Sequence, residues 1–170
     1  MSQSELPPGA RTVDPPGGRA IPAIAIGLGY AGLLPQALAL ALVLFGGPAW
    51  RFTGLSLAFA YAALIFSFLG GVWWGLAARS DKTLPRWVWL ASVAPALLSL
   101  ASAWPWATGD EWPGPSLLAL GLAIALSVIV DVRLRQLELT PPRWLMLRLP
   151  LSLGLGSLTF AIGLGAAFAG

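Results

Sequence analysis

The sequence predicts an all-α integral membrane protein, a bundle of five transmembrane helices, from its composition and the spacing of its apolar residues. Of its 170 residues, 57% are hydrophobic and only 10% are charged, whereas soluble domains carry about 25% charged residues. The apolar residues form five uncharged stretches, each close to or above the roughly 20 residues that cross a bilayer. Because lipid offers no partner for backbone N–H and C=O groups, we expect these stretches to be helices.

The chain divides into a polar tail and one membrane domain. Residues 1–19 are rich in proline and glycine, so we expect a disordered cytoplasmic tail. Residues 20–170 are expected to form the five-helix domain, with no second domain. We place the spans near residues 22–45, 53–77, 87–105, 115–131 and 146–168.

The first and third spans each contain a proline, Pro35 and Pro95. Proline removes one backbone hydrogen bond and crowds the carbonyl four residues before it. Both helices are therefore expected to kink at these sites. Gln36, beside the first kink, is expected to bond a carbonyl that the proline leaves free.

The second span carries a small residue at every fourth position: Ala63, Ser67, Gly71 and Gly75. Residues four apart lie on one helix face, and small faces let membrane helices approach closely. The stripe therefore indicates a helix-packing or partner face. Packing within the chain is the simpler interpretation, and docking of another subunit is the more specific one.

The fourth span ends at Asp131 and the fifth opens with Arg148. Arg135 lies four residues after Asp131, in the favourable order for a helical ion pair, and we prefer this local pair. The alternative is an interhelix pair of Asp131 with Arg148. With Trp73 and Trp74, these two residues make a candidate cluster at the inner face, in which Trp74 could stack on Arg148.

The basic residues predict the orientation of the bundle. With five spans, the tail, the second–third loop and the fourth–fifth loop share one side, which holds nine of the ten Lys and Arg residues. The other side holds Arg51 alone. Because cytoplasmic loops carry an excess of Lys and Arg, we expect a cytoplasmic N-terminus and an outer C-terminus.

The composition also excludes several kinds of chemistry. The chain has no cysteine and no histidine, so it has no disulfide, no Cys/His metal site and no histidine base. Its seven acidic residues all lie in tails, loops or helix ends, so we expect no carboxylate buried in the middle of the bilayer for a proton relay. We expect no catalytic residues, no enzyme activity, no metal, no cofactor and no nucleic-acid partner.

Three segments resemble a known family: residues 28–35 (LGYAGLLP), 65–76 (IFSFLGGVWWGL) and 147–151 (LRLPL). On these the sequence resembles a bacterial family of small membrane proteins called domain of unknown function 3429, whose eukaryotic relatives are named transmembrane protein 69. The chain departs from the family pattern at Trp73, where a basic or imidazole residue is frequent, and at Gln36, where an aromatic residue is usual. The resemblance implies a multi-pass inner-membrane protein and supplies no catalytic residues.

Two functions follow from these features. The preferred one is a non-catalytic accessory, scaffold or assembly subunit of a complex in the bacterial inner membrane. Its partners would be membrane lipid and either another membrane protein or a second copy of the chain. The alternative is a small transporter or carrier of a neutral or lipidic molecule, which requires a cavity between the first, second and fifth spans.

Overall fold

The computed structural model describes residues 22–109 and 113–168, and the predicted tail at residues 1–19 lies outside them. Within the described ranges the chain forms these helices: α1 Ala23–Ala31, α2 Leu34–Phe45, α3 Gly47–Ala78, α4 Arg86–Ser102, α5 Trp104–Thr108, α6 Gly114–Gln136 and α7 Trp144–Phe168. Helices α1 and α2 form the first span, and α4 and α5 form the third. Five segments are long and apolar enough to cross a membrane: Ala23–Phe45, Gly47–Ala78, Arg86–Thr108, Gly114–Gln136 and Trp144–Ala166. The predicted all-α bundle of five transmembrane helices is confirmed.

The second and fourth spans are longer than the sequence predicted. Helix α3 begins at Gly47, six residues earlier, with Pro48 in its first turn. Backbone N–H groups in the first turn have no partner within the helix, so the missing N–H of proline costs no hydrogen bond there. Arg51 therefore lies inside the helix, and its Nη2 donates to the carbonyls of Gly165 and Ala166 in the last turns of α7, at 3.3 Å each. Helix α6 continues past Asp131 to Gln136, and Leu134 in this extension is fully buried.

The two prolines act differently. The first span is broken: α1 ends at Ala31, α2 begins at Leu34, and Pro35 lies in the first turn of α2. At this break the carbonyl of Gly32 accepts a hydrogen bond from the Tyr61 hydroxyl of α3. Helix α4, in contrast, continues through Pro95, so the kink expected there does not interrupt the helix.

Helices α6 and α7 approach each other most closely where both carry glycine. A Cβ atom added at Gly121 would lie 2.7 Å from the backbone nitrogen of Phe160, and one at Gly156 would lie 2.8 Å from the carbonyl oxygen of Gly121. Such contacts are typical of helices that associate in lipid, where close backbone packing replaces the hydrophobic effect. Helix α3 packs beside this pair and contacts α2, α4, α6 and α7.

Candidate functional site

A buried carboxylate joins three helices at the end of the bundle that carries the α3–α4 and α6–α7 loops, here called the arginine-rich end. Asp131 of α6 is 0% exposed. Its Oδ1 accepts hydrogen bonds from the indole N–H of Trp73 in α3, at 3.0 Å, and of Trp144 in α7, at 3.1 Å. Its Oδ2 accepts from Nε of Arg148, also in α7, at 3.1 Å. These four residues are the Asp131 cluster.

The preferred sequence-based pairing of Asp131 with Arg135 is wrong. Asp131 pairs with Arg148, and the guanidinium of Arg135 lies 3.5 Å from the carbonyl oxygen of Thr140 instead. An isolated i,i+4 pair contributes only a few tenths of a kcal/mol. A buried carboxylate has more to gain from a partner that is itself buried, and Arg148 is 11% exposed.

The expected stacking of Trp74 on Arg148 is also wrong. The aromatic ring near Arg148 is that of Trp144, whose centroid lies 5.9 Å from the guanidinium carbon. Trp74 is half exposed and meets Trp89 of α4 edge-on, with ring centroids 5.0 Å apart. Of the predicted cluster, the structure brings together Trp73, Asp131 and Arg148 and leaves Trp74 outside.

Arg148 has N–H groups that donate no hydrogen bond to the described residues. A guanidinium carries five N–H groups, yet the only hydrogen bond that Arg148 donates within the described ranges comes from Nε. Nη2 lies 3.1 Å from Asp131 Oδ2, but it is buried and its N–H groups make no hydrogen bond with the described residues. Nη2 therefore meets Asp131 as an ion pair without a hydrogen bond, and the guanidinium has more N–H groups than Asp131 accepts from.

A cavity of about 220 Å³ lies beside Arg148. Its walls come from the first, second, fourth and fifth spans and consist mainly of leucine, isoleucine and phenylalanine side chains. The polar lining groups are Arg148 and Ser152 of α7, with Tyr61 and Gly32 at the break in the first span. A cavity is therefore present between the first, second and fifth spans, where a carrier requires one.

A second buried polar contact holds α2 inside the bundle. Gln36 is 0% exposed, and its Nε2 donates to Thr159 Oγ1 of α7 at 2.9 Å and to the carbonyl of Ala58 in α3 at 3.4 Å. The expectation that Gln36 bonds a carbonyl freed within its own helix is wrong. Thr159 in turn donates to the carbonyl of Leu155.

The small-residue stripe of α3 does not form one packing face. Ala63 and Ser67 are half-buried, and the carbonyl of Ala63 accepts a hydrogen bond from Ser99 of α4 at 3.1 Å. Gly71 and Gly75 are exposed, and a Cβ atom added at either would meet nothing within 4 Å. Packing within the chain, the simpler interpretation, therefore does not apply to these two glycines.

Sequence reasoning missed the glycine that packs α3 against α4. A Cβ atom at Gly70 would lie under 3.0 Å from the backbone oxygen of Ser92, beside the ring of Pro95. The available signal was the seven-residue spacing from Ala63, because residues seven apart drift by only about 20° around a helix. A four-residue step drifts by about 40°, which carries Gly71 and Gly75 away from α4.

The comparisons with known proteins give one family and one partial match. The family described as "Protein of unknown function (DUF3429)" matches residues 21–164. NADH-quinone oxidoreductase subunit M of Pseudomonas aeruginosa is 45% identical over 47 residues, which cover 28% of this chain and 9% of that protein. The chain thus matches a small part of that relative. No solved structure matches the chain.

Proposed function

The chain belongs to the DUF3429 family of proteins of unknown function, and on that premise we propose that it is a non-catalytic accessory, scaffold or assembly subunit of a membrane complex. The proposal rests above all on the uncovered face of α3. Leu64 and Phe68, together with Gly71 and Gly75, form an outward surface that no other described helix covers. Glycines on a lipid-facing surface allow a second helix to approach closely.

The partial match to a named oxidoreductase subunit supports the same proposal. The protein that shares 45% identity over 47 residues is described as a subunit of a larger enzyme. A segment like it in this chain is compatible with a membrane-protein partner. The partner can equally be a second copy of this chain, and the experiment below separates the two.

The absence of enzyme activity is also part of the proposal, and the Asp131 cluster supports it. Both oxygens of this buried carboxylate already accept hydrogen bonds, from Trp73, Trp144 and Arg148. Ser92 and Ser127 donate to carbonyls of their own helices. A serine nucleophile needs a neighbouring base, and neither serine has a basic side chain as its hydrogen-bond partner.

We further propose that the arginine-rich end faces the cytoplasm of a bacterium and that the protein lies in the inner membrane. Nine of the ten basic residues precede the first span or lie in the two loops at this end and the helix ends beside them, as expected for cytoplasmic segments. Reporter fusions at both termini test the orientation. Reporters that place both termini in one compartment would contradict it.

The subunit proposal is tested by affinity purification of the full chain in a mild detergent, followed by native mass spectrometry. We expect a stoichiometric partner that is lost in the variant Gly71→Leu, because the added side chain occupies the open face. The chain's own fold should be unaffected, since nothing lies within 4 Å of a Cβ atom there. The matched control is Leu97→Phe on the exposed side of α4, which should keep the partner. A protein that purifies alone as a monomer contradicts the proposal.

A second candidate function, a carrier of a neutral or lipidic molecule, is favoured by the cavity of about 220 Å³ beside the broken first span. Broken membrane helices commonly flank substrate sites in transporters. Proteoliposomes with a fluorescent phosphatidylcholine in one leaflet test this candidate. We expect the protein to speed lipid exchange between leaflets and Arg148→Lys to slow it. Equal rates with and without protein would remove the carrier candidate.

A further inference from the structure

We propose that the cavity beside Arg148 binds the head of a neutral membrane amphiphile that carries a carbonyl oxygen, with the guanidinium as the hydrogen-bond donor. This binding site goes beyond the role of a complex subunit. If the protein is a carrier, the site also identifies the class of molecule that it carries. Ligand binding and partner capture are separate measurements, so a failure of one proposal can be distinguished from a failure of the other.

The first step of the argument is the state of the guanidinium. Arg148 lines the cavity, and its Nε donates one hydrogen bond to Asp131. The N–H groups of Nη2 are buried without a hydrogen bond among the described residues. Because Arg148 lines the cavity, an acceptor atom held there would lie next to its guanidinium, and hydrogen bonds to charged donors are stronger than those between neutral groups.

The second step concerns the charge of the ligand. Asp131 and Arg148 form an ion pair at 3.1 Å, so the two charges cancel. A carboxylate or phosphate placed against Arg148 would add an uncompensated negative charge to a site of low dielectric constant, where desolvation is expensive. A carbonyl oxygen accepts the same hydrogen bond without that cost.

The third step concerns the apolar walls and the way in. Leu33, Ile65 and Leu155 are among the aliphatic residues that line the cavity. Two other lining residues, Leu28 of α1 and Phe68 of α3, are 68% and 65% exposed on the lipid-facing surface. The cavity therefore opens sideways toward the bilayer between α1 and α3, which admits an apolar chain directly from the membrane.

The size of the cavity limits what enters it. About 220 Å³ is below the roughly 300–1,000 Å³ of pockets that enclose whole drug-sized ligands. The site can hold a head group and the first carbons of a chain, whose remainder would lie in the lipid. A quinone ring and the ester group of an acyl lipid share this chemistry, and binding experiments distinguish them.

The test uses the full chain purified in dodecyl maltoside, a detergent without a carbonyl group, and measures the unfolding temperature against added ligand. The probes are monoolein, decylubiquinone and oleate. A ligand that binds only the folded state raises the unfolding temperature with its concentration. We expect a rise with monoolein, with decylubiquinone or with both, and the pattern identifies the source of the carbonyl. No rise with either, or an equal rise with oleate, overturns the proposal.

Variants locate the binding. Ile65→Phe adds volume at the cavity wall and leaves the Asp131–Arg148 pair intact. Its control is Leu97→Phe in α4, at a side chain that is 61% exposed and does not line the cavity. We expect binding to weaken by about tenfold or more in Ile65→Phe and to stay unchanged in Leu97→Phe. Equal affinity in both variants would overturn the proposal.

Arg148→Lys tests the donor itself. Lysine keeps the positive charge beside Asp131 but replaces the planar fork with a single ammonium group. Loss of one charge-assisted hydrogen bond should weaken the neutral probes by about tenfold. If this variant fails to fold, Ile65→Phe still decides. A folded Arg148→Lys protein with wild-type affinity would overturn the assignment of Arg148 as the donor.

Discussion

The two faces of α3 meet different surroundings. Gly70 and Gly71 are neighbours in the chain, yet a Cβ atom at Gly70 would collide with the backbone of α4, whereas one at Gly71 would meet nothing within 4 Å. Trp73 is 2% exposed and bonds Asp131, whereas Trp74 is 48% exposed. The inward face is therefore fixed by contacts that the chain makes with itself. The outward face is free to serve lipid or a partner, and substitutions should affect the two faces very differently.

The largest effect is expected where the inward face reaches the Asp131 cluster. Arg148→Met leaves the buried Asp131 carboxylate without a counter-charge, which should lower the free energy of unfolding by about 3–5 kcal/mol. Denaturation in mild detergent, followed by tryptophan fluorescence, measures it. The double variant Asp131→Leu/Arg148→Met should recover part of the loss, because no charge is then left buried, while the indole N–H groups of Trp73 and Trp144 lose their acceptor. A single variant as stable as the wild type would show that the pair does not hold this end together.

Next is the pair of adjacent glycines. Gly70→Ala forces a methyl group against the carbonyl of Ser92, and overpacking of this kind costs about 1–3 kcal/mol. Gly71→Ala should leave stability unchanged or raise it slightly, because alanine favours helix over glycine. Parallel thermal unfolding of the two variants gives the comparison. An equal loss of stability in both variants would mean that Gly71 also packs against another helix or a partner.

The two adjacent tryptophans give a smaller contrast. Trp73→Phe keeps an aromatic ring but removes the indole N–H that Asp131 accepts, so we expect a loss of about 1–2 kcal/mol. Trp74→Phe changes an exposed ring and should stay within about 0.5 kcal/mol of the wild type. The unfolding free energies of the two variants test this ordering. A reversed order would show that Trp74, and not Trp73, makes the more stabilising contact.

The smallest effect is expected at the exposed ion pair between the α3–α4 and α6–α7 loops. Lys82 Nζ lies 2.8 Å from Glu138 Oε2, and this hydrogen bond and the charge of Lys82 lower the pKa of the Glu138 carboxyl below its ordinary value. A lowered pKa means that the pair acts while Glu138 is ionised and is lost as the pH falls through that pKa. In Lys82→Met the pKa, followed by NMR of the carboxyl carbon, should rise, with no measurable change in stability at neutral pH. An unchanged pKa would show that the two side chains do not pair in solution.

Much of the fold follows from the sequence because lipid leaves few alternatives. Uncharged stretches of about 20 residues have to be helices in a membrane, which is why the five spans could be placed without knowledge of their packing. Helix ends are harder to predict than the spans themselves. The sequence predicts that Arg51 lies outside the second span, although a long arginine side chain can lie within a membrane helix and extend to polar groups at its end.

Contacts between spans were harder to predict. The choice between Arg135 and Arg148 depends on how α7 is rotated against α6, and Gly121 and Gly156 set that rotation without any pattern that marks them as partners. Gln36 bonds Thr159, which lies 123 residues away in the sequence. A single sequence contains the types of these residues but gives no sign of which helix faces which.

Arg51 carries a consequence for membrane topology. Among the described residues it is the lone basic residue at the end of the bundle opposite the arginine-rich end, and its guanidinium donates hydrogen bonds to two carbonyls at the C-terminal end of α7. Positive charge at a helix C-terminus is favoured by the helix dipole. The contact with α7 therefore explains why a basic residue lies at this end of the bundle. Removing it should loosen the end of α7 and leave the direction of insertion as it was.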